Sequence, residues 1–160
     1  MLQRDYPDQV CSIARSLEVI GERWTLLILR DAVLGLTRFE EFQESLGIAS
    51  NVLTNRLKLL CDEEVLERVP DAQRPGRPKY VLTDKGRELA PALIVLMKWG
   101  DRHYPTPNGP PRLTLHTRCG GSISPDLRCD RCGKQATPGE IELPLGPGAP
   151  RAERAIRERR

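Results

Sequence analysis

The sequence predicts a mainly α-helical chain with one small β-hairpin and, behind it, a small β element organised by cysteine and histidine. Apolar residues recur at helical spacing through most of residues 12–103. A short apolar run at 65–69 is answered by a second at 80–82 across a turn rich in Pro and Gly. Beyond a proline-rich break, His116, Cys119, Cys129 and Cys132 fall in two closely spaced pairs.

A chain of 160 residues holds one domain of ordinary size plus an appendage. With only 4% aromatic residues, the interior must be filled by Leu, Val and Ile. No apolar run approaches the roughly 20 residues needed to cross a bilayer, and MLQRDYPDQV offers no secretion signal. A cytoplasmic protein is expected. Its five cysteines, Cys11, Cys61, Cys119, Cys129 and Cys132, then stay reduced, which favours metal or thiol chemistry over disulfides. The net charge of +3 permits nucleic-acid binding without demanding it. Residues 1–104 carry 15 basic against 16 acidic side chains, so any DNA site there depends on local clustering.

In CSIARSLEVIG, Ile13, Leu17 and Ile20 share a helix face and Gly21 stops the run. ERWTLLILRDAVLG, with Trp24, Leu27, Ile28, Leu29 and Val33 apolar on more than one face, reads as the buried central helix. TRFEEFQESLG puts Phe39, Phe42 and Leu46 on one side and ends at Gly47, and Ser50 is placed to cap the next helix. In that helix Leu53, Leu57 and Leu60 line one face, while Asn51, Thr54, Asn55 and Lys58 cluster on the other. Residues 65–69 and 80–82 form the hairpin, whose tip PDAQRPGRPK is basic. Thr83 caps a final helix over DKGRELAPALIVLMKWGDRH, which Pro91 should kink or deprive of a hydrogen bond at the Arg87 carbonyl. Leu89, Leu93, Leu96, Met97 and Trp99 exceed what one small core can bury, so a partner subunit is expected.

Helix, helix, helix-turn-helix, hairpin, helix is the order of a winged helix-turn-helix domain. A helix fits the major groove, and its first turns present side chains to base edges. Ser50, Asn51, Thr54, Asn55 and Lys58 occupy the presenting face, and Arg74, Arg77 and Lys79 would neutralise phosphates or probe the minor groove. Singly, a polar helix face or a basic turn is often only solvated. Together, in this order, they favour a sequence-specific double-stranded DNA-binding regulator of transcription, with repression preferred to activation. The alternative is an adaptor in which winged helix and zinc ribbon bind the transcription machinery. An enzyme is not expected, because the only histidines are His103 and His116 and no catalytic constellation is present.

Residues 11–103 resemble the HxlR-type regulators, a branch of the MarR-like winged-helix proteins, through CSIARSLEVIGERWTLLILRDAVLG, TRFEEFQESL, IASNVLTNRLKLL, YVLTDKGREL and KWGDRH. The resemblance implies a homodimer formed by the first and last helices, with two recognition helices in successive major grooves. Cys11 stands where the family commonly has a cysteine that in some members senses quinones, aldehydes or oxidants. A small electrophile or other small molecule is therefore a candidate effector. A helix N-terminus lowers a thiol pKa, although a lone cysteine there is also commonly a small buried residue. Cys61, beside the leucine face, reads as core or spectator.

The Pro-rich linker is placed at 105–112 and a zinc-ribbon-like element at 113–142, followed by a Pro/Gly-rich and then charged tail, 143–160, expected to be disordered. Residues 1–104 form the DNA-binding and dimerisation domain. Two residues separate His116 from Cys119 and Cys129 from Cys132, and each tight turn can aim both side chains at one tetrahedral ion. The glycines after Cys119 and Cys132 suit such turns. A structural zinc is expected, with a Cys129/Cys132 redox dithiol as the other reading.

Overall fold

The computed structural model describes residues 12–124, 126–142, 144 and 146. The chain divides into two compact units, Met1–Leu89 and Ala90–Arg160. Among the described residues no helix is long and apolar enough to cross a membrane.

The first unit runs α1 (Ser12–Ile20), α2 (Arg23–Val33), α3 (Phe39–Leu46), α4 (Ser50–Asp62), β1 (Leu66–Val69), β2 (Lys79–Leu82) and a one-turn α5 (Asp84–Arg87). Glu22 caps α2 by accepting from Trp24 N–H at 2.9 Å. The predicted apolar faces form the core: Ile28 and Leu29 of α2, Phe42 of α3, and Leu53, Leu57 and Leu60 of α4 are buried, with Val65 and Leu66 closing the floor. Each such side chain contributes about 1.5–3 kcal/mol by leaving water. Thr25 and Asp31 are also fully buried on α2, which the apolar pattern did not announce. Arg30 holds Asp31 Oδ1 at 2.8 Å.

Gly47 ends α3 in the left-handed region at φ 63°, its N–H donating to Gln43 O, and α4 starts three residues later. The residue at the cap of α4 is Ala49, not Ser50. Ser50 is the first residue inside the helix, where its hydroxyl accepts from Gln43 Nε2 at 2.6 Å.

β1 and β2 pair antiparallel from Leu66 opposite Leu82 to Val69 opposite Lys79. The chain entering α3 joins them, because Tyr80 N–H donates to Thr37 O at 2.7 Å and Arg38 bridges Lys79. Thr83 caps α5 as expected, accepting from Gly86 N–H at 3.1 Å. A Cβ on Gly86 would strike the Val65 carbonyl, so only glycine lets this turn lie against the strand.

The expected single last helix is two. α5 ends at Arg87 and α6 spans Ala90–His103, which puts Pro91 in the first turn of a new helix. There its missing N–H has no intrahelical acceptor to satisfy, and the break replaces the kink. In the second unit, α6 buries Ala90 and Ile94 and leaves Val95, Leu96 and Trp99 exposed. β3 (Leu115–His116) pairs antiparallel with β4 (Ile141–Glu142). Isolated bridges join Leu115 to Ser122, Ile123 to Cys129 and Arg128 to Gln135. Ile123, Cys129 and Ala136 make the small core, with Cys119, Leu127 and Ile141 against it. Pairing runs past Glu142: Leu113 N–H donates to Pro144 O, and Gly146 N–H to Pro111 O. The charged tail lies outside the described residues.

Candidate nucleic-acid interface and metal centre

On α4, the leucine face is buried and Ser50, Asn51, Thr54, Asn55 and Lys58 are all exposed together. Thr54 Oγ1 donates to Ser50 O at 2.8 Å, and Lys58 pairs with Asp62 one turn on. Asn55 and the Asn51 amide nitrogen carry no such tie among the described residues. The face presents amide, hydroxyl and ammonium groups along one edge, the chemistry that reads base edges.

The hairpin tip is less free than its composition suggested. Arg77 Nη1 lies 2.5 Å from Glu40 Oε1, and Arg74 Nη1 lies 3.9 Å from Glu40 Oε2, so both arginines face the first turn of α3. Lys79 is in β2, 3.5 Å from Asp71 Oδ1 and only half exposed. Asp71 is the electrostatic centre of the wing, at 4% exposure. It accepts from Arg38 Nε at 2.8 Å and from Gln73 N–H at 3.0 Å, and Arg38 Nη2 also donates to Gln73 Oε1. The Arg38 hydrogen bond holds the Asp71 carboxyl below the usual range against the opposing effect of burial. Nothing in the local sequence pattern marks Asp71, Arg38 or Glu40, because the pairs Arg38–Asp71 and Arg77–Glu40 join positions 33 and 37 apart.

In the second unit, the ligand atoms of His116, Cys119, Cys129 and Cys132 all lie within 4.8 Å of one another. His116 Nδ1 is 3.2 Å from Cys119 Sγ, Cys119 Sγ is 3.3 Å from Cys129 Sγ, and Cys132 Sγ is 3.7 Å from His116 Nδ1. Ligands around a tetrahedral zinc at about 2.0–2.3 Å sit about 3.5–3.8 Å apart, and the separations here, from 3.2 Å up to 4.8 Å, bracket that spacing, so small side-chain shifts would bring all four onto one ion. The sulfur separation of 3.3 Å is well beyond a disulfide bond. Gly120 and Gly133, each following a cysteine, adopt φ 67° and 68°. A Cβ on Gly121 would lie 2.5 Å from Cys129 Sγ, so the chain approaches the cluster where only glycine fits. The Cys129 thiol is pushed up by burial, but the Cys132 N–H, the Cys119 side chain and the Arg131 N–H outweigh that and hold it low. Backbone donors aimed at sulfur are what a metal-bound thiolate requires.

Cys61 is half-buried, and burial raises its thiol pKa, consistent with a packing residue. Cys11, the candidate sensor, lies outside the described residues.

Residues 19–108 match the family described as HxlR-like helix-turn-helix. The chain is 44% identical over 137 residues to an uncharacterized HTH-type transcriptional regulator of Mycobacterium tuberculosis, covering 86% of this chain and 87% of that one. A match of that length extends through the Cys/His element. The Bacillus subtilis HTH-type regulator YvaP is 37% identical over 86 residues, 53% of this chain and 80% of its own. Among solved structures, the chain is similar to PA1607, described as a candidate transcription factor, with TM-score 0.59 and 38% identity over 88% of each chain.

Proposed function

This chain belongs to the HxlR-like helix-turn-helix family of transcriptional regulators, and from that premise we propose that it binds double-stranded DNA sequence-specifically as a homodimer. The α4 helix enters the major groove, the hairpin lies along the phosphate backbone, and occupancy represses transcription. One observation carries this reading. The face of α4 that bears Ser50, Asn51, Thr54, Asn55 and Lys58 is exposed along its length, while the opposite leucine face anchors the helix in the core. A rigidly seated helix with an unused polar edge is what base readout needs. Dimerisation is supported by exposed apolar side chains on both α1 and α6.

His116, Cys119, Cys129 and Cys132 hold a structural zinc in this reading. Three thiolates and one imidazole are a soft, closed set that suits zinc and leaves no site for a substrate. The ion would substitute for the large core that so short an element lacks.

The decisive experiment is selection of bound fragments from sheared genomic DNA with the purified chain, followed by footprinting. A protected two-fold-symmetric site is expected. Failure to enrich any duplex overturns the reading.

A further inference from the structure

The two wing arginines do not point freely into solvent. Both guanidinium groups converge on one carboxylate, Glu40, in the first turn of α3, with Arg77 Nη1 at 2.5 Å from Oε1 and Arg74 Nη1 at 3.9 Å from Oε2. Glu40 is itself exposed, as are Arg74 and Arg77, so the cluster lies on the surface that the hairpin and the helix-turn-helix share. The rest of the wing already has an internal anchor in Asp71, Arg38 and Lys79. The Glu40 pairs therefore add little to holding the hairpin, and exposed ion pairs contribute little stability in any case.

We propose that Glu40 is a specificity-determining residue, which holds the charge of Arg74 and Arg77 back from DNA that α4 does not recognise. The inference rests on the DNA-binding reading above. Attraction between cationic side chains and phosphates supplies essentially all of the affinity for random sequence, whereas an operator adds contacts to base edges. Lowering the available cationic charge thus weakens random binding proportionally more. A phosphate of the operator, brought close once α4 is seated, exchanges with Glu40 for the guanidinium groups. The carboxylate acts through the arginines and need not touch a base.

The test compares Glu40→Gln with Glu44→Gln, an exposed carboxylate one turn on that holds no arginine among the described residues. Binding to a random-sequence duplex and to the selected operator is measured by fluorescence anisotropy across a salt series. Glu40→Gln should tighten random binding several-fold and operator binding less. Its log K against log salt should steepen by about one unit for each arginine released. Glu44→Gln should give a smaller change, and the excess should vanish when Arg74 and Arg77 are both alanine. Equal gains for the two glutamine variants, or a gain that survives loss of both arginines, overturn the proposal. If the unmodified chain binds no duplex, the DNA-binding reading falls first and this inference with it.

Discussion

Arg38, immediately before α3, donates through Nε to Asp71 Oδ2 at the base of the hairpin tip, 2.8 Å away and 33 positions along the chain. The same residue's backbone N–H donates to Glu41 Oε2, so one arginine joins the start of the helix-turn-helix to the wing. Lys79 and the Gln73 N–H complete the set around the buried carboxylate. Charge as well as packing thereby ties the wing to the helices.

Asp71→Asn should lower thermal stability at neutral pH and alter its dependence on acid. The Arg38 hydrogen bond depresses the folded-state pKa of Asp71, so its contribution is present above the unfolded value of about 3.9 and is lost as pH falls through the folded value. The parent should therefore lose stability steeply below about pH 4, and the variant less steeply. Calorimetric melting from neutral to strongly acidic pH reads both slopes. Parallel profiles for the two proteins would show that Asp71 contributes no ionised-state stability.

The residues proposed to face DNA should separate into two kinds of defect. Asn51→Ala and Asn55→Ala should cost about 1–3 kcal/mol on the operator and little on random sequence, if each amide pairs bidentately with a base. Arg77→Ala should weaken operator binding and flatten its salt dependence by about one charge, with a smaller effect on random duplex, where Glu40 holds the guanidinium. A salt series on both duplexes distinguishes the two kinds, because the asparagine variants should leave the salt slope unchanged. Equal losses on both duplexes for the asparagine variants would remove those residues from base readout.

What the sequence disclosed and what it hid divide along a physical line. The α4 faces were legible because burial and exposure alternate with the helical period, and Leu53, Leu57 and Leu60 fell on the buried side. The cysteine and histidine cluster was legible because two-residue spacing in a tight turn fixes side-chain direction locally. The cap of α4 is Ala49, one residue before the expected Ser50. Ser50 has the capping chemistry, but its hydroxyl is taken by Gln43, and Ala49 carries the extended backbone at φ −62°, ψ 139°. Splitting of the last helix at Pro91 was half visible, since proline signals a fault without saying whether the helix bends or restarts. Asp71 and Glu40 could not be found, because a surface-type carboxylate acquires meaning only from partners brought in by the fold.

The exposed apolar residues of α1 and α6 should be covered in solution. Ile13 is 70% exposed and Leu17 41% on α1, and Leu96 is 50% and Trp99 49% on α6. A soluble monomer rarely leaves such large side chains in water on two helices. Sedimentation equilibrium at micromolar concentration should give a dimer, and Leu96→Glu should shift it towards monomer with a loss of operator affinity greater than of random-DNA affinity. A parent chain that sediments as a monomer and binds a single half-site tightly would sink the dimer.

Metal removal should dismantle the second unit's small element and spare the first unit. The apolar core behind β3 and β4 is essentially Ile123, Ala136 and the cysteine Cys129, with Leu127 and Ile141 only half covered. That is too little apolar surface to offset the chain entropy of residues 113–142, so an ion held by the four side chains would supply the difference. Purified protein should contain about one zinc per chain, and Cys129→Ser should lose it together with protease resistance in this element. Gly121→Ala should weaken zinc retention without removing a ligand, because its new Cβ would lie 2.5 Å from Cys129 Sγ and displace the sulfur. The first unit has its own core in Ile28, Leu29, Phe42, Leu53, Leu57 and Leu60, so its melting should persist in both variants. Absence of zinc from protein prepared without chelator, or unchanged zinc in Cys129→Ser, would show that the four side chains do not enclose an ion.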